Sequence, residues 1–228
     1  MIWFLVYNDI MLDLEQLTQQ IISCRKCPRL VEWREEVARV KRKAYKNADY
    51  WGKPVPGFGD PQARVLVVGL APGAHGSNRT GRQFTGDASG GFLFPALHRA
   101  GFANQAEAES RSDGLILKDM YITASGRCAP PDNKPSPQEL NNCQPYLDAE
   151  LKILRPKVIV CLGRIAFERI LKIYGARNSV YKFTHGASYQ LQNFWIVCSY
   201  HPSQQNTLTG KLTIEMFDKI WEKVNSLL

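Results

Sequence analysis

No apolar run in the 228 residues approaches the 18 or so consecutive residues that a membrane span needs. The opening stretch MIWFLVYNDIM is apolar, but it has no basic leader and runs straight into Asp13 and Glu15, which argues against a signal peptide. Met11 would serve equally well as a start, which makes residues 1–13 a possible extension of the domain. There is no internal repeat and no low-complexity tract. No Gly-Lys-Ser/Thr closes a glycine-rich loop, because the Gly210-Lys211 pair has no such loop before it, and this excludes a P-loop. No G-x-G-x-x-G follows a strand, which excludes a dinucleotide fingerprint. No lysine is placed for Schiff-base chemistry.

The chain does carry enough apolar residues, 44% of the total, to bury a full core as a single α/β-sized domain over residues 1–228. Lys and Arg number 29 against 21 Asp and Glu, a net charge of +8 that favours polyanionic partners. Six cysteines without a secretion signal point to a reducing compartment, where cysteine binds metal or fills the core.

Helical spacing of Leu14, Leu17 and Ile21 predicts a short helix ending at Cys24, and a charged helix follows from Val31 to Lys46. The Gly- and Pro-rich YWGKPVPGFGDP is a loop leading into the first core strand, Arg64–Gly69, whose unbroken apolar run fits burial on both faces. A helix starts near Ser89. Asp119–Thr123, Lys157–Leu162 and Phe194–Cys198 are further strands. Ser136-Pro137-Gln138-Glu139 has capping-box spacing with proline at the first helical position. Leu140, Cys143, Leu147, Leu151 and Leu154 then recur on one helical face. Arg164–Tyr174 is a helix closed by Gly175. The chain finishes on an amphipathic helix carrying Ile214, Phe217, Ile220, Trp221 and Val224. Strands alternating with helices predict an α/β sandwich on a mostly parallel sheet.

Cys24 and Cys27 form a CxxC just after a helix, so both sulfurs can point at one centre. Cys128 lies in a Pro-rich loop and Cys143 on the next helix, giving a plausible four-thiolate set. Zinc accepts the same ligands, and spacing does not separate it from iron–sulfur. Taken alone, Cys143 on its apolar stripe reads as core, as do Cys161 and Cys198 within strands.

The most specific feature is GLAPGAHGSNRTGRQFTGDASGG, Gly69 to Gly91. It leaves the carboxyl end of a buried strand and enters a helix, where open α/β sheets place their ligands. Its glycines suit close approach of backbone to a flat ligand. Asp87 stands at the helix entry, where the helix dipole is expected to lower its pKa, and capping is as good an explanation as catalysis. His201-Pro202-Ser203 ends another strand and is expected at the same sheet edge.

These segments together resemble the uracil-DNA glycosylase superfamily, most closely its fifth (type B) iron–sulfur family. The resemblance runs from Cys24 to Lys211. It rests on the Gly69–Gly91 stretch, Arg127-Cys-Ala-Pro-Pro-Asp-Asn-Lys-Pro135, the four cysteines and His201-Pro-Ser203. It implies a three-layer α/β/α sandwich with a central four-stranded parallel sheet, and a structural 4Fe–4S cluster on Cys24, Cys27, Cys128 and Cys143. It implies a DNA repair enzyme that flips uracil from double- or single-stranded DNA and hydrolyses its N-glycosidic bond, leaving an abasic site. A monomer working on nucleoid DNA in the cytoplasm is expected.

By this resemblance Phe84 stacks on the base, while backbone groups of Gly69, Leu70, Ala71 and Gly73 approach the uracil. His201 donates to uracil O2 as charge develops there. Asp87 stabilises the oxocarbenium-like sugar and orients water. Asn133 positions water or contacts the base, although Pro-Pro-Asp-Asn-Lys-Pro also suits an ordinary turn.

The chain departs from its wider relatives in three places. Leu70-Ala71-Pro72 stands where other branches carry an acid or amide, so the water-activating role moves to Asp87. Ala124 stands where type A relatives read uracil with asparagine, so activity extends to hypoxanthine or other damaged bases. Gln204-Gln205-Asn206 lacks an apolar wedge. Arg79, Arg82 and Lys211 are candidates for phosphate contact, although for each a solvated surface charge is the better reading. Two competing readings are a nucleotide or phosphoester hydrolase using the Gly-rich loop as an anion cradle, and a non-catalytic zinc-binding DNA module.

Overall fold

The computed structural model describes residues 13–228, so the apolar opening stretch assigned to an N-terminal extension lies outside the described residues except for residue 13. Four apolar runs form the strands β2 (Val65–Gly69), β3 (Met120–Ala124), β4 (Val158–Leu162) and β6 (Phe194–Ser199). They pair in parallel in the order β3-β2-β4-β6. This is the central four-stranded parallel sheet that the family resemblance implies. Two antiparallel edge strands extend it to six, β1 (Phe58–Gly59) beside β3 and β5 (Ser188–Leu191) beside β6.

Alternation along each strand divides the core into two layers. Val65, Val67, Val158, Val160 and Val197 face α4 (Ala88–Arg99) and α8 (Ile214–Ser226), packing on Phe94, Leu97, Phe217 and Trp221. Leu66, Val68, Ile159, Cys161, Ile196 and Cys198 face α5 (Pro137–Leu154) and α6 (Arg164–Ile173), packing on Leu147, Leu151, Phe167 and Ile170. Each large apolar side chain so buried stabilises the fold by roughly 1.5–3 kcal/mol relative to exposure. Cys161 and Cys198 are core residues, in register on adjacent strands.

Local chemistry sets the helix boundaries. Ser136 and Glu139 form the expected capping box, with Pro137 in the first turn of α5. The charged helix α2 (Pro28–Val40) stops six residues short of the predicted Lys46, because Lys41 takes φ 58° and a 3-10 turn follows over Lys43–Tyr45. The helix near Ser89 is capped two residues earlier, by Asp87. Ile214, predicted on the apolar face of the last helix, starts α8 exposed, since Thr213 is the cap and the buried stripe begins at Phe217.

The parallel strands all end at one edge. Gly69 is in register with Ala124, and Leu162 with Ser199. The Gly-rich loop, with its short helix α3 (Ser77–Thr80), therefore starts beside Ala124, and His201 follows β6 by two residues. A second short helix, α7 (Gln204–Leu208), follows Ser203. An initial helix, α1 (residues 13–22), precedes the CxxC.

Candidate active site and cysteine centre

Phe84 and His201 meet at this edge, with ring centroids 5.7 Å apart and planes inclined by 30°. Phe84 is buried and has φ 53°, a backbone state that costs a bulky residue roughly 1–3 kcal/mol and marks a position held for a purpose. Gly69 is required beneath it, because a Cβ there would come within 2.8 Å of Phe84 Cζ. The Gly69 carbonyl accepts from the Ser125 amide (2.9 Å) and hydroxyl (3.1 Å), and the Leu70 carbonyl accepts from Gly126 N at 2.8 Å. Those carbonyls are thereby committed to the turn after β3. Leu70 and Ala71 are partly exposed, and Ala124 is buried beside Gly69.

Asp87 is both cap and mouth residue. Its Oδ1 accepts from Gly90 N at 3.0 Å, starting α4. Its other oxygen faces the loop: a Cβ on Gly76 would overlap the carboxylate, and one on Gly73 would lie 3.1 Å from Oδ2. Burial raises the Asp87 pKa, outweighing the hydrogen bonds from Gly90 and Ser89 and the charge of Arg79. This corrects the expectation from the helix dipole alone, which had the pKa lowered: the local field is real, but tertiary burial is larger.

His201 stands at the same sheet edge, its ring stacked on Phe84. Its backbone carbonyl accepts from Asn206 Nδ2 at 2.8 Å, which ties α7 to the strand end. Burial lowers its pKa to about 4, so the ring is neutral at physiological pH. It also borders an open recess of about 370 Å³ lined by Arg164, Phe183, Tyr200, Asn206 and Lys211.

Other predicted residues fall elsewhere. Asn133 lies on an exposed 3-10 turn with φ 56°, and no hydrogen bond joins its side chain to Asp87 or His201. Arg82 is not free for phosphate: it is buried and grips Asp113 through two bonds of 2.8 and 2.6 Å, which hold that carboxyl well below its usual range. Arg79 is also engaged, donating to the carbonyls of His75 (2.8 Å) and Gly86 (2.9 Å) and stacking on Tyr45. Lys211 keeps an exposed ammonium over the Tyr200 ring, at 4.9 Å. Leu208, on α7 just beyond His201-Pro-Ser203, is 82% exposed. The sequence offers little sign of it, since a lone Leu five residues past Ser203 is a weak signal.

Cys24, Cys27, Cys128 and Cys143 line one recess, with Leu30, Pro54 and Asn142 completing its wall. The sulfurs meet nitrogen donors. Asn142 Nδ2 lies 3.3 Å from Cys27. Arg34 Nη1 donates to Cys128 Sγ at 2.9 Å. Arg34 is 2% exposed, and its nearest carboxylate, Glu35 at 3.7 Å, is paired mainly with Arg25. Burial pushes the Cys128 thiol up to about 12. Sequence spacing could have pointed to Arg34, which occupies a stripe position of α2 with Leu30, Val31 and Val37. Among the described residues, no set of three or more His, Cys, Asp or Glu is grouped as a single metal ion needs. No described helix is long and apolar enough to cross a membrane.

Comparison with known proteins matches residues 56–225 to the family model described as the Uracil DNA glycosylase superfamily. The chain is 54% identical over 208 residues to a type-5 uracil-DNA glycosylase of Thermus thermophilus, covering 90% of this chain and 94% of that protein. It is 48% identical to a type-5 uracil-DNA glycosylase of Mycobacterium leprae over 219 residues, 94% of this chain and 96% of the relative. A type-4 uracil-DNA glycosylase of Archaeoglobus fulgidus is 31% identical over 196 residues, 84% of this chain and 82% of the relative.

Proposed function

This chain belongs to the uracil-DNA glycosylase superfamily, and from that premise we propose that it removes uracil from DNA by hydrolysing the N-glycosidic bond. The observation that carries the reading is the mouth itself. A half-buried carboxylate without an ion-pair partner among the described residues and a neutral imidazole flank a buried aromatic ring at one sheet edge.

A base must leave the duplex to reach such a mouth. Phe84 offers the stacking face, and the amides after Gly69 are the candidate donors, the Gly69 and Leu70 carbonyls being committed to the turn after β3. Neutral His201 donates to the uracil oxygen on which negative charge grows as the bond breaks, a preorganised contact that needs no reorganisation during reaction. Asp87, ionised above its raised pKa, faces the cationic sugar and accepts a proton from the attacking water. Leu208 is exposed where an apolar side chain could fill the gap left by the flipped base. Ala71 and Ala124 present only methyl groups, which supports excision of hypoxanthine as well as uracil.

The cysteine recess supports a structural 4Fe–4S cluster on Cys24, Cys27, Cys128 and Cys143. The observed fit is chemical: buried Arg34, 3.7 Å from Glu35, aims its Nη1 at Cys128, a contact that strengthens when that sulfur is a thiolate. Zinc accepts the same four thiolates, and the colour of the purified protein separates the two. Bound there, the cluster supplies cross-linking between the α1–α2 junction, the loop after β3 and α5, and takes no part in bond cleavage.

End-labelled oligonucleotides containing uracil, hypoxanthine or no lesion, treated with protein and then hot alkali, test the reading. Strand cleavage at uracil is expected, with hypoxanthine cleaved as well. Intact uracil strands would sink the glycosylase assignment, and intact hypoxanthine strands only the broader range. Brown protein with broad visible absorption supports the cluster, whereas colourless protein loaded with zinc contradicts it.

A further inference from the structure

Residues 41–53 lie across the Gly-rich loop as a strap. Trp51 N donates to the Arg79 carbonyl at 2.9 Å, and Gly52 N to Asn78 at 3.1 Å. The Tyr50 hydroxyl meets His75 Nδ1 at 2.9 Å, and the Arg79 guanidinium lies 4.1 Å from the Tyr45 ring centroid. Through Arg79 the strap is one contact from Gly86, and through His75 it is one residue from Gly76. Both of those glycines lie against or beside Asp87.

The strap's outer surface is basic. Residues 41–50 hold Lys41, Arg42, Lys43 and Lys46 against the single acid Asp49, a net +3 out of the +8 carried by the whole chain. Arg42, Lys43 and Lys46 are exposed, and among the described residues none forms an ion pair. Trp51 carries two more cations over its ring, Arg111 at 4.3 Å and exposed Lys53 at 5.4 Å. A solvated run with no function would not need anchoring at four points. Unpaired cations interleaved with Tyr45, Tyr50 and Trp51, fixed beside a mouth that takes a nucleotide, match the chemistry of a nucleic-acid backbone.

We propose that residues 41–53 are a DNA-backbone clamp, in which Arg42, Lys43 and Lys46 neutralise phosphates flanking the nucleotide held at Asp87 and His201. The clamp rests on the glycosylase reading, and it assigns to the CxxC side of the mouth a contact surface that the Gly69–Gly91 and His201 segments do not provide.

The test is the salt dependence of binding to a short duplex carrying one tetrahydrofuran abasic analogue. Each neutralised phosphate contributes about 0.9 to the slope of log K against log salt, so R42Q/K43Q/K46Q should lower that slope by about 2.7. The control K118Q/K152Q/K157Q removes the same charge from exposed lysines remote from the mouth, two of them just before β3 and β4 at the opposite sheet edge. Its slope should match the wild type. An unchanged slope in the clamp variant, or an equal fall in the control, overturns the clamp. Should the triple variant fold poorly, Lys46→Gln alone should lower the slope by about 0.9, and no change there is equally decisive. Alkali-revealed uracil excision by the wild-type protein is read in parallel. Its absence counts against the glycosylase reading, whereas normal excision with an unchanged slope counts against the clamp alone.

Discussion

Two carboxylates in this molecule sit in opposite surroundings. Glu150, on α5 beneath the sheet, is wholly enclosed and ion-paired: one oxygen accepts from Thr123 Oγ1 at 2.8 Å and from Arg127 Nη2 at 2.6 Å, Arg127 also donates to Thr123, and the other oxygen has no hydrogen-bond partner. Asp87, at the mouth, is half-buried, caps α4 with one oxygen and turns the other toward glycines, with no ion-pair partner among the described residues. Where burial is deepest, the charge is compensated and holds β3 to α5. At Asp87, which has no ion pair among the described residues, burial raises the proton affinity. The difference is between an ion-paired structural acid and an unpaired one, to which the proposed function gives the catalytic role.

That contrast breaks most easily at Glu150. Glu150→Ala strands Arg127 without its counter-charge and should cost about 3–5 kcal/mol in denaturant unfolding, whereas replacing both partners with methionine should recover much of the loss. If Glu150→Ala unfolds like the wild type, the buried pair is not the structural acid described. On the other side of the comparison, His201→Ala should lower single-turnover excision by about 10²–10³-fold, the usual effect of removing one oxyanion donor, with little change in melting temperature. A matching drop in stability would make His201 a packing residue.

The smallest effect is a pH dependence of stability. His201 has its folded pKa lowered from 6.5 to about 4, so the folded state binds fewer protons than the unfolded state between those values. Its contribution to stability is full above about pH 6.5 and is lost as pH falls toward 4. Asp87 works with the opposite sign. Its raised pKa makes ionisation unfavourable to folding as pH rises through the carboxylate range, so it weighs on stability at neutral pH. His201→Gln should flatten the acid limb of a melting-temperature profile between pH 4 and 6.5; an unchanged limb would place the titrating group elsewhere.

Much of the fold was legible because β2, β3, β4 and β6 are unbroken apolar runs and α5 announces itself with a capping box. The edge strands were not. β1 has two residues, and β5 is half-exposed and polar, so neither carries a periodic signal, and they form only because β3 and β6 offer unpaired edges. At the site, the Gly-rich loop and His201 were placed correctly at one sheet edge, since both follow strand ends. What failed depended on distant partners. Arg82 looked free until Asp113, 31 residues away, proved to hold it. Asp87 was assigned a lowered pKa from its helix, while the burial that raises it comes from tertiary packing. Arg34 was passed over because its partners Cys24 and Cys128 come together only in the fold.

The most direct test of the account is Asp87→Asn, measured twice on one preparation. Asparagine still caps a helix, so α4 keeps its start, while the charge is gone. Single-turnover excision of uracil should fall by about 10²–10⁴-fold, and the melting temperature at neutral pH should hold or rise. Retained excision, or a loss of activity that tracks a loss of fold, would contradict the assignment of Asp87 as the acid that this fold leaves unpaired for catalysis.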